Sequence, residues 1–235
     1  MNIEDFYRME GSRLSFTRQQ GSDFAKRVAG DFNPIHHPDS KRFCVPGDLL
    51  FSVIVHHYGL RQNMAFRFSG MVDDSVQLLL PECEEEHTEI AGDNGKTYLS
   101  IDCSGEVSHE PKLIESFTRR YVEFSGKTFP DTLIPLLKDH GVMINPDRPL
   151  VIYDRMSFQL DRIDIEQLDL RLADAQLEHS GKRGEVTLEY DLLDQGERVG
   201  HGCKHMALGG IRPYRQDDVD RLVQAYEGYK REYSE

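Results

Sequence analysis

The densest chemistry in the chain lies in one short stretch, GDFNPIHHPD, from Gly30 to Asp39. It carries two carboxylates, an amide and two imidazoles, with a proline among them. A carboxylate and an imidazole converging on one water are a common route to general acid–base catalysis. The spacing favours convergence. Pro34 pushes Asn33 out of the α region into extended backbone. Residues two apart on extended backbone point the same way, so Asp31 and Asn33 can share a face. Pro34 then sets the direction in which Ile35 and His36 leave. Asp31, Asn33 and His36 are therefore the candidate acid–base group, with Asn33 placed to hold a water or fix the imidazole tautomer. Asp-x-Asn-Pro is equally good turn chemistry, because Asx side chains hydrogen-bond their own backbone. Both readings stand at this point. His36 and His37 do not suggest a metal site. Adjacent loop histidines diverge, and no Cys, His or Glu at ligand spacing accompanies them.

The elements around this turn must position it. SDFAKRVA reads as a short helix with Ser22 as N-cap and Gly30 as the C-cap glycine. GDLLFSVIVHHYGL, Gly47 to Leu60, is apolar almost all round and predicts a helix buried on every face, with Gly59 as its stop. AFRFSG, VQLLLPE, two runs flanking Gly92-Asp93-Asn94-Gly95, and SFTRRYVEFSG read as strands ending near Ser125. PDTLIPLLKDHG, from Pro130, reads as a second helix ended by Gly141. LVIYDRMSFQL, LRLADAQLEH, EVTLEYDLLD and RVGHGCKHMAL then read as strands, joined at Gly181–Gly184 and at Gln195-Gly196. A polar helix from about Gln216 to Arg231 closes the chain. The expectation is α+β, in two units of similar order: residues 1–126, which carry the turn, and residues 127–235.

Composition narrows the function. A chain of 235 residues can bury a sizeable core. Its 28 Lys and Arg against 41 Asp and Glu give a net charge of −13, which repels nucleic acid and anionic membranes. No run approaches the ~20 apolar residues of a membrane span. MNIEDFYRME lacks the basic and apolar regions of a signal peptide, so the cytoplasm is expected. Cys44, Cys83, Cys103 and Cys203 are scattered without a C-x-x-C pair, which suits reduced thiols. Neither a metal nor a cofactor is expected. ECEEEHTE is expected to be a solvated face, and His56-His57 to pack in the core or at an interface.

FAKRVAGDFNPIHHPDSKRF resembles the signature of the MaoC-like (R)-specific enoyl-CoA hydratases, which runs Gly-Asp-x-Asn-Pro-(Ile/Leu)-His. Gly30, Asp31, Asn33, Pro34, Ile35 and His36 carry the match. CVPGDLLFSVIV is similar to that family's glycine and central helix, with Gly47 in the glycine position. The resemblance implies a hotdog fold, a long helix wrapped by an antiparallel sheet, and beyond Ser125 a second hotdog without the signature. It implies that Asp31 and His36 deliver water to C3 of a trans-2-enoyl thioester of coenzyme A or an acyl carrier protein, with Asn33 holding the water or the loop. The backbone N–H of Gly47 would face the thioester oxygen. A homodimer, or a pseudo-dimer within one chain, is implied as well. Two residues depart from the pattern. Pro46 stands where the family has histidine, and Asp48 puts a carboxylate beside the enolate position. They favour the alternative of a non-catalytic acyl-thioester binding or regulatory module. A thioesterase on this fold would need a carboxylate on the central helix, and only Asp48 qualifies. Lys41 and Arg42 follow the signature and are the candidates for coenzyme A phosphates, ahead of Arg119-Arg120 and Lys182-Arg183.

Overall fold

The structure, a computed structural model, describes residues 2–82 and 86–234. Cys83, Glu84 and Glu85, within the expected solvated stretch, lie outside these.

A short hairpin, β1 (Arg8–Glu10) and β2 (Arg13–Ser15), leads into helix α1 (Arg18–Phe24). The helix begins earlier than Ser22. Thr17 caps it, accepting from the Gln20 N–H while the Gln20 side chain accepts from the Thr17 N–H. Ser22 is buried inside it. A π-helical turn, Ala25–Ala29, follows and ends on Gly30 at φ 67°, the left-handed conformation expected of its glycine.

Helix α2 (Gly47–Tyr58) comes next. Its Leu49, Leu50, Phe51, Val53, Ile54 and Val55 are all buried, as an all-round apolar pattern requires. The strands β3 (Leu60–Phe68), β4 (Leu78–Leu79), β5 (His87–Gly92) and β6 (Thr97–Ser108) follow, with β5 and β6 joined at the Gly92–Gly95 turn.

Residues 116–126 correct the sequence reading. They form no strand but the greater part of helix α3 (Pro111–Gly126). The aromatic and β-branched residues suggest a strand, yet the buried Leu113, Ile114, Phe117, Thr118, Tyr121, Val122 and Ser125 recur at helical spacing. Pro111 starts the helix, where its missing N–H costs nothing. The Phe51 ring of α2 packs against Tyr121 and Phe117 of α3 at 4.7 and 6.4 Å, and against Phe66 of β3 at 5.2 Å.

The chain continues through α4 (Leu133–Asp139), β7 (Val142–Met143), β8 (Val151–Leu160), β9 (Leu168–Ser180), β10 (Arg183–Asp194), β11 (Glu197–Gly209), β12 (Arg212–Pro213) and α5 (Gln216–Ser234). Ten strands form one antiparallel sheet in the order β1-β2-β4-β5-β6-β3-β8-β11-β10-β9, while β7 and β12 pair separately. Strands β3 and β8 meet at the middle, from Asn63 opposite Gln159 to Arg67 opposite Arg155. On each side of that seam the same order recurs. The strand at the seam neighbours the last long strand of its half, β6 or β11, and the earlier ones lie outward. The fold is α+β, with helices packed on one large antiparallel sheet. No helix among the described residues is long and apolar enough to cross a membrane.

Candidate functional site

A cavity of about 680 Å³ opens between the Gly30–His36 turn, the start of α2, the first residues of β8, and Lys204 and Met206 of β11, with α5 over it. Its wall is mostly apolar, including Leu133, Ile144, Met206 and Leu222. Asp31, Asn33, His36 and Gly47 all line it. Lys41 and Arg42 do not. They are exposed on a turn, and no helix follows His36.

Local hydrogen bonds set the turn. Asp31 accepts from the Asn33 N–H at 2.8 Å, and Asn33 accepts from the Ile35 N–H at 3.2 Å. Both Asx interactions that the turn reading anticipates are present. They leave the other carboxylate oxygen of Asp31, Oδ2, facing Nε2 of His36 at 3.6 Å. On the far side of the ring, Nδ1 of His36 lies 2.7 Å from the Cys44 carbonyl oxygen. A carbonyl can only accept, so Nδ1 carries the proton and Nε2 presents a lone pair in the neutral ring. Turn chemistry and acid–base geometry therefore coexist, and the Asn33 oxygen holds the loop. Cys44 itself lines the cavity, but burial pushes its thiol up to about 11, so it stays protonated and a poor nucleophile near neutral pH.

The last helix braces the turn from outside. The Tyr226 hydroxyl of α5 donates to the Gly30 carbonyl at 3.1 Å and accepts from the Phe32 N–H at 3.3 Å, bracketing Asp31.

The start of α2 supplies the second part of the site. The Pro46 carbonyl accepts from the Leu49 and Leu50 N–H groups, at 3.0 and 3.2 Å. The first N–H groups of a helix have no acceptor within it, and that of Gly47 is one of them. Glycine is required here by a neighbour: a Cβ on Gly47 would stand 2.8 Å from Cδ1 of Tyr153.

Three buried polar residues complete the site. Asp48 is 8% exposed and Lys204, on β11, 5%. Oδ2 of Asp48 accepts from the Ser125 hydroxyl at 2.7 Å, and the Lys204 ammonium donates to the same hydroxyl oxygen. Nζ of Lys204 also lies over the Tyr153 ring, 4.2 Å from its centre. Oδ1 of Asp48 has no hydrogen-bond partner. Burial raises the Asp48 pKa, against the opposing pull of Lys204 and Ser125. Burial lowers that of Lys204, against the pull of Asp48. Water removal thus works against both charges, and each charge supports the other.

In the sequence, Asp48 reads as an obstacle to an enolate and as the one central-helix carboxylate open to a thioesterase; Ser125 and Lys204 are given no site role there. A signal for both exists. Gly202, Lys204, Met206 and Leu208 share the buried face of β11, so strand alternation alone puts Lys204 inside. Ser125 follows Phe117 and Tyr121 at steps of four on α3, but only once that segment is recognised as a helix.

A family model described as "Protein of unknown function (DUF3581)" matches residues 1–217. No curated protein matches the chain. Among solved structures, the tesB protein of Mycobacterium avium subsp. paratuberculosis aligns at TM-score 0.48 and 10% identity, covering 88% of this chain and 96% of that one. An acyl-CoA thioesterase II, TesB2, of Mycobacterium marinum aligns at 0.41 and 10%, covering 92% and 99%. A MaoC-like dehydratase aligns at 0.42 and 9%, covering 88% and 98%. Likeness of this degree assigns no role to any residue.

Proposed function

We propose that this chain, which belongs to the DUF3581 family, is an acyl-thioester hydratase or dehydratase built as a double hotdog. The observation that carries the reading is the pairing of His36 Nε2 with Asp31 Oδ2 across 3.6 Å at an apolar cavity, with the opposite ring nitrogen held by the Cys44 carbonyl.

At 3.6 Å the two atoms are too far apart for a strong direct hydrogen bond. Both are acceptors when the ring is neutral, so one water can donate a hydrogen to each. Its oxygen lone pair then faces into the cavity. In hydration that oxygen bonds to C3 of a trans-2-enoyl thioester as the base takes its proton. The C2=C3 electron pair moves toward the thioester oxygen, giving an enolate, and C2 then takes up a proton. Dehydration is the same path reversed. The apolar wall suits an acyl chain, and the Gly47 N–H suits the thioester oxygen.

The repeated strand order on the two sides of the β3–β8 seam supports two hotdog units within one chain, with α2 and α3 as their central helices. The second unit then begins near Pro111, earlier than residue 127. Coenzyme A or a carrier protein would present the acyl group, with Lys41 and Arg42 outside the cavity as candidates for its phosphates.

Asp31→Asn and His36→Ala should each lower hydration of a trans-2-enoyl-CoA by at least ~100-fold, the scale of losing a positioned acid–base group. Thermal melting should show the fold retained. Acyl-CoA binding without turnover on any chain length would instead support the binding module. Turnover unaffected by either substitution would remove these residues from the mechanism.

A further inference from the structure

We propose that the ammonium group of Lys204 donates to the carbonyl oxygen of the acyl thioester, and that Asp48 holds that ammonium in place through Ser125. The inference rests on the acyl-thioester reading and adds to it a charged residue from the second half of the chain.

A lysine lining an apolar cavity needs a reason to be there. Lys204 lies in a row of the sheet otherwise filled by Gly202, Met206 and Leu208, where a methionine or leucine would pack without loss of hydration. Its three N–H bonds are incompletely used. One goes to Ser125 and the group rests over the Tyr153 ring, so a donor remains for the cavity. Asp48 is incompletely used too, since Oδ1 is buried without a partner. A cluster that leaves polar atoms unspent on a cavity wall is built to meet a polar group of a ligand.

The position fits the thioester oxygen. The Tyr153 ring touches both the Lys204 ammonium and the backbone at Gly47. The ammonium and the Gly47 N–H therefore approach the cavity around one side chain. Negative charge develops on the thioester oxygen when water adds at C3, and a fixed cation in a water-poor site stabilises it strongly. Pro46 removes one backbone donor from this end of the helix. Lys204 supplies the missing donor and also offsets the Asp48 charge, so Asp48 becomes a positioning residue in place of an obstacle.

The test compares two ligands by calorimetry: an acyl-CoA analogue in which methylene replaces sulfur, which keeps the carbonyl, and an alkyl-CoA thioether, which lacks it. Wild-type protein should prefer the ketone at least about tenfold, as for a charge-assisted hydrogen bond. Lys204→Met should abolish the preference while thioether binding persists. Asp48→Asn should reduce it, again sparing the thioether. The pair Lys204→Met/Asp48→Asn removes both buried charges and should behave as Lys204→Met does. An unchanged preference in folded variants overturns the proposal. Should the variants not fold, the ¹⁵Nζ resonance of Lys204 in wild-type protein decides: a shift on binding the ketone that the thioether does not produce supports the proposal, and the same response to both ligands overturns it. Binding of neither ligand overturns both this proposal and the acyl-thioester reading. Ketone preference in a protein that hydrates nothing overturns the hydratase reading alone.

Discussion

Asp48 and Lys204 are both taken out of water, and the sign of each pKa shift shows what that costs. Asp48 is raised, so its stabilising contribution is complete below the unfolded pKa and lost as pH rises through the folded one. Lys204 is lowered, so its contribution is complete above the unfolded pKa and lost as pH falls through the folded one. Between those ranges, near neutral pH, ionising either group works against folding unless the other is ionised too. Replacing one alone leaves a buried charge uncompensated. At pH 7, Asp48→Asn and Lys204→Met should each lose about 3–5 kcal/mol in urea denaturation. The double variant should match wild type or exceed it. Additive losses would show that the two groups do not act as a pair. Residues of this kind are hard to find in sequence for a physical reason: a carboxylate, a hydroxyl and an ammonium gain meaning from proximity, and Asp48, Ser125 and Lys204 are far apart along the chain. The proximity of Asp31 and His36 is legible in the sequence because one turn holds both.

Among the elements, the signature turn is held by its neighbours as much as by its own hydrogen bonds. It leaves the π-helical turn at Ala29, and α3 ends against that same point. A Cβ on Gly126 would stand 1.8 Å from the Ala29 carbonyl oxygen, a backbone atom that cannot swing aside. Gly126→Ala should therefore cost about 2–3 kcal/mol of stability, the scale of overpacking. It should also reduce turnover in the folded fraction, because Gly30 and Asp31 follow directly. Full activity with unchanged melting would show that α3 can yield. Elements are legible in the sequence where one signal dominates. The apolar run of α2, the Gly92–Gly95 hairpin and the long strands β8 to β11 all follow from pattern. Helix α3 is not legible, because residue type and periodicity disagree within SFTRRYVEF, and periodicity wins when a stripe has α2 to pack against. The capping box at Thr17 is legible in the sequence, since Gln20 stands three residues on.

For the whole molecule, a net charge of −13 opposes the approach of a ligand that carries several phosphate charges. Lys41 and Arg42 are exposed, so any help they give acts over roughly one Debye length, about 10 Å at 0.1 M salt. Neutralising both should weaken acyl-CoA binding at low salt and leave an acyl-pantetheine without the nucleotide unaffected. Equal affinity for acyl-CoA before and after would place the phosphates elsewhere. One cavity takes Asp31 and His36 from the first half of the chain and Lys204 from the second. The central claim is that water attacks C3 there and leaves the thioester intact. Incubating wild-type protein with a trans-2-enoyl-CoA in H₂¹⁸O and analysing the products by mass spectrometry tests this directly. The account predicts one ¹⁸O in the 3-hydroxyl of an intact 3-hydroxyacyl-CoA. Free coenzyme A with ¹⁸O in the carboxylate of the released acid would contradict it and identify a thioesterase.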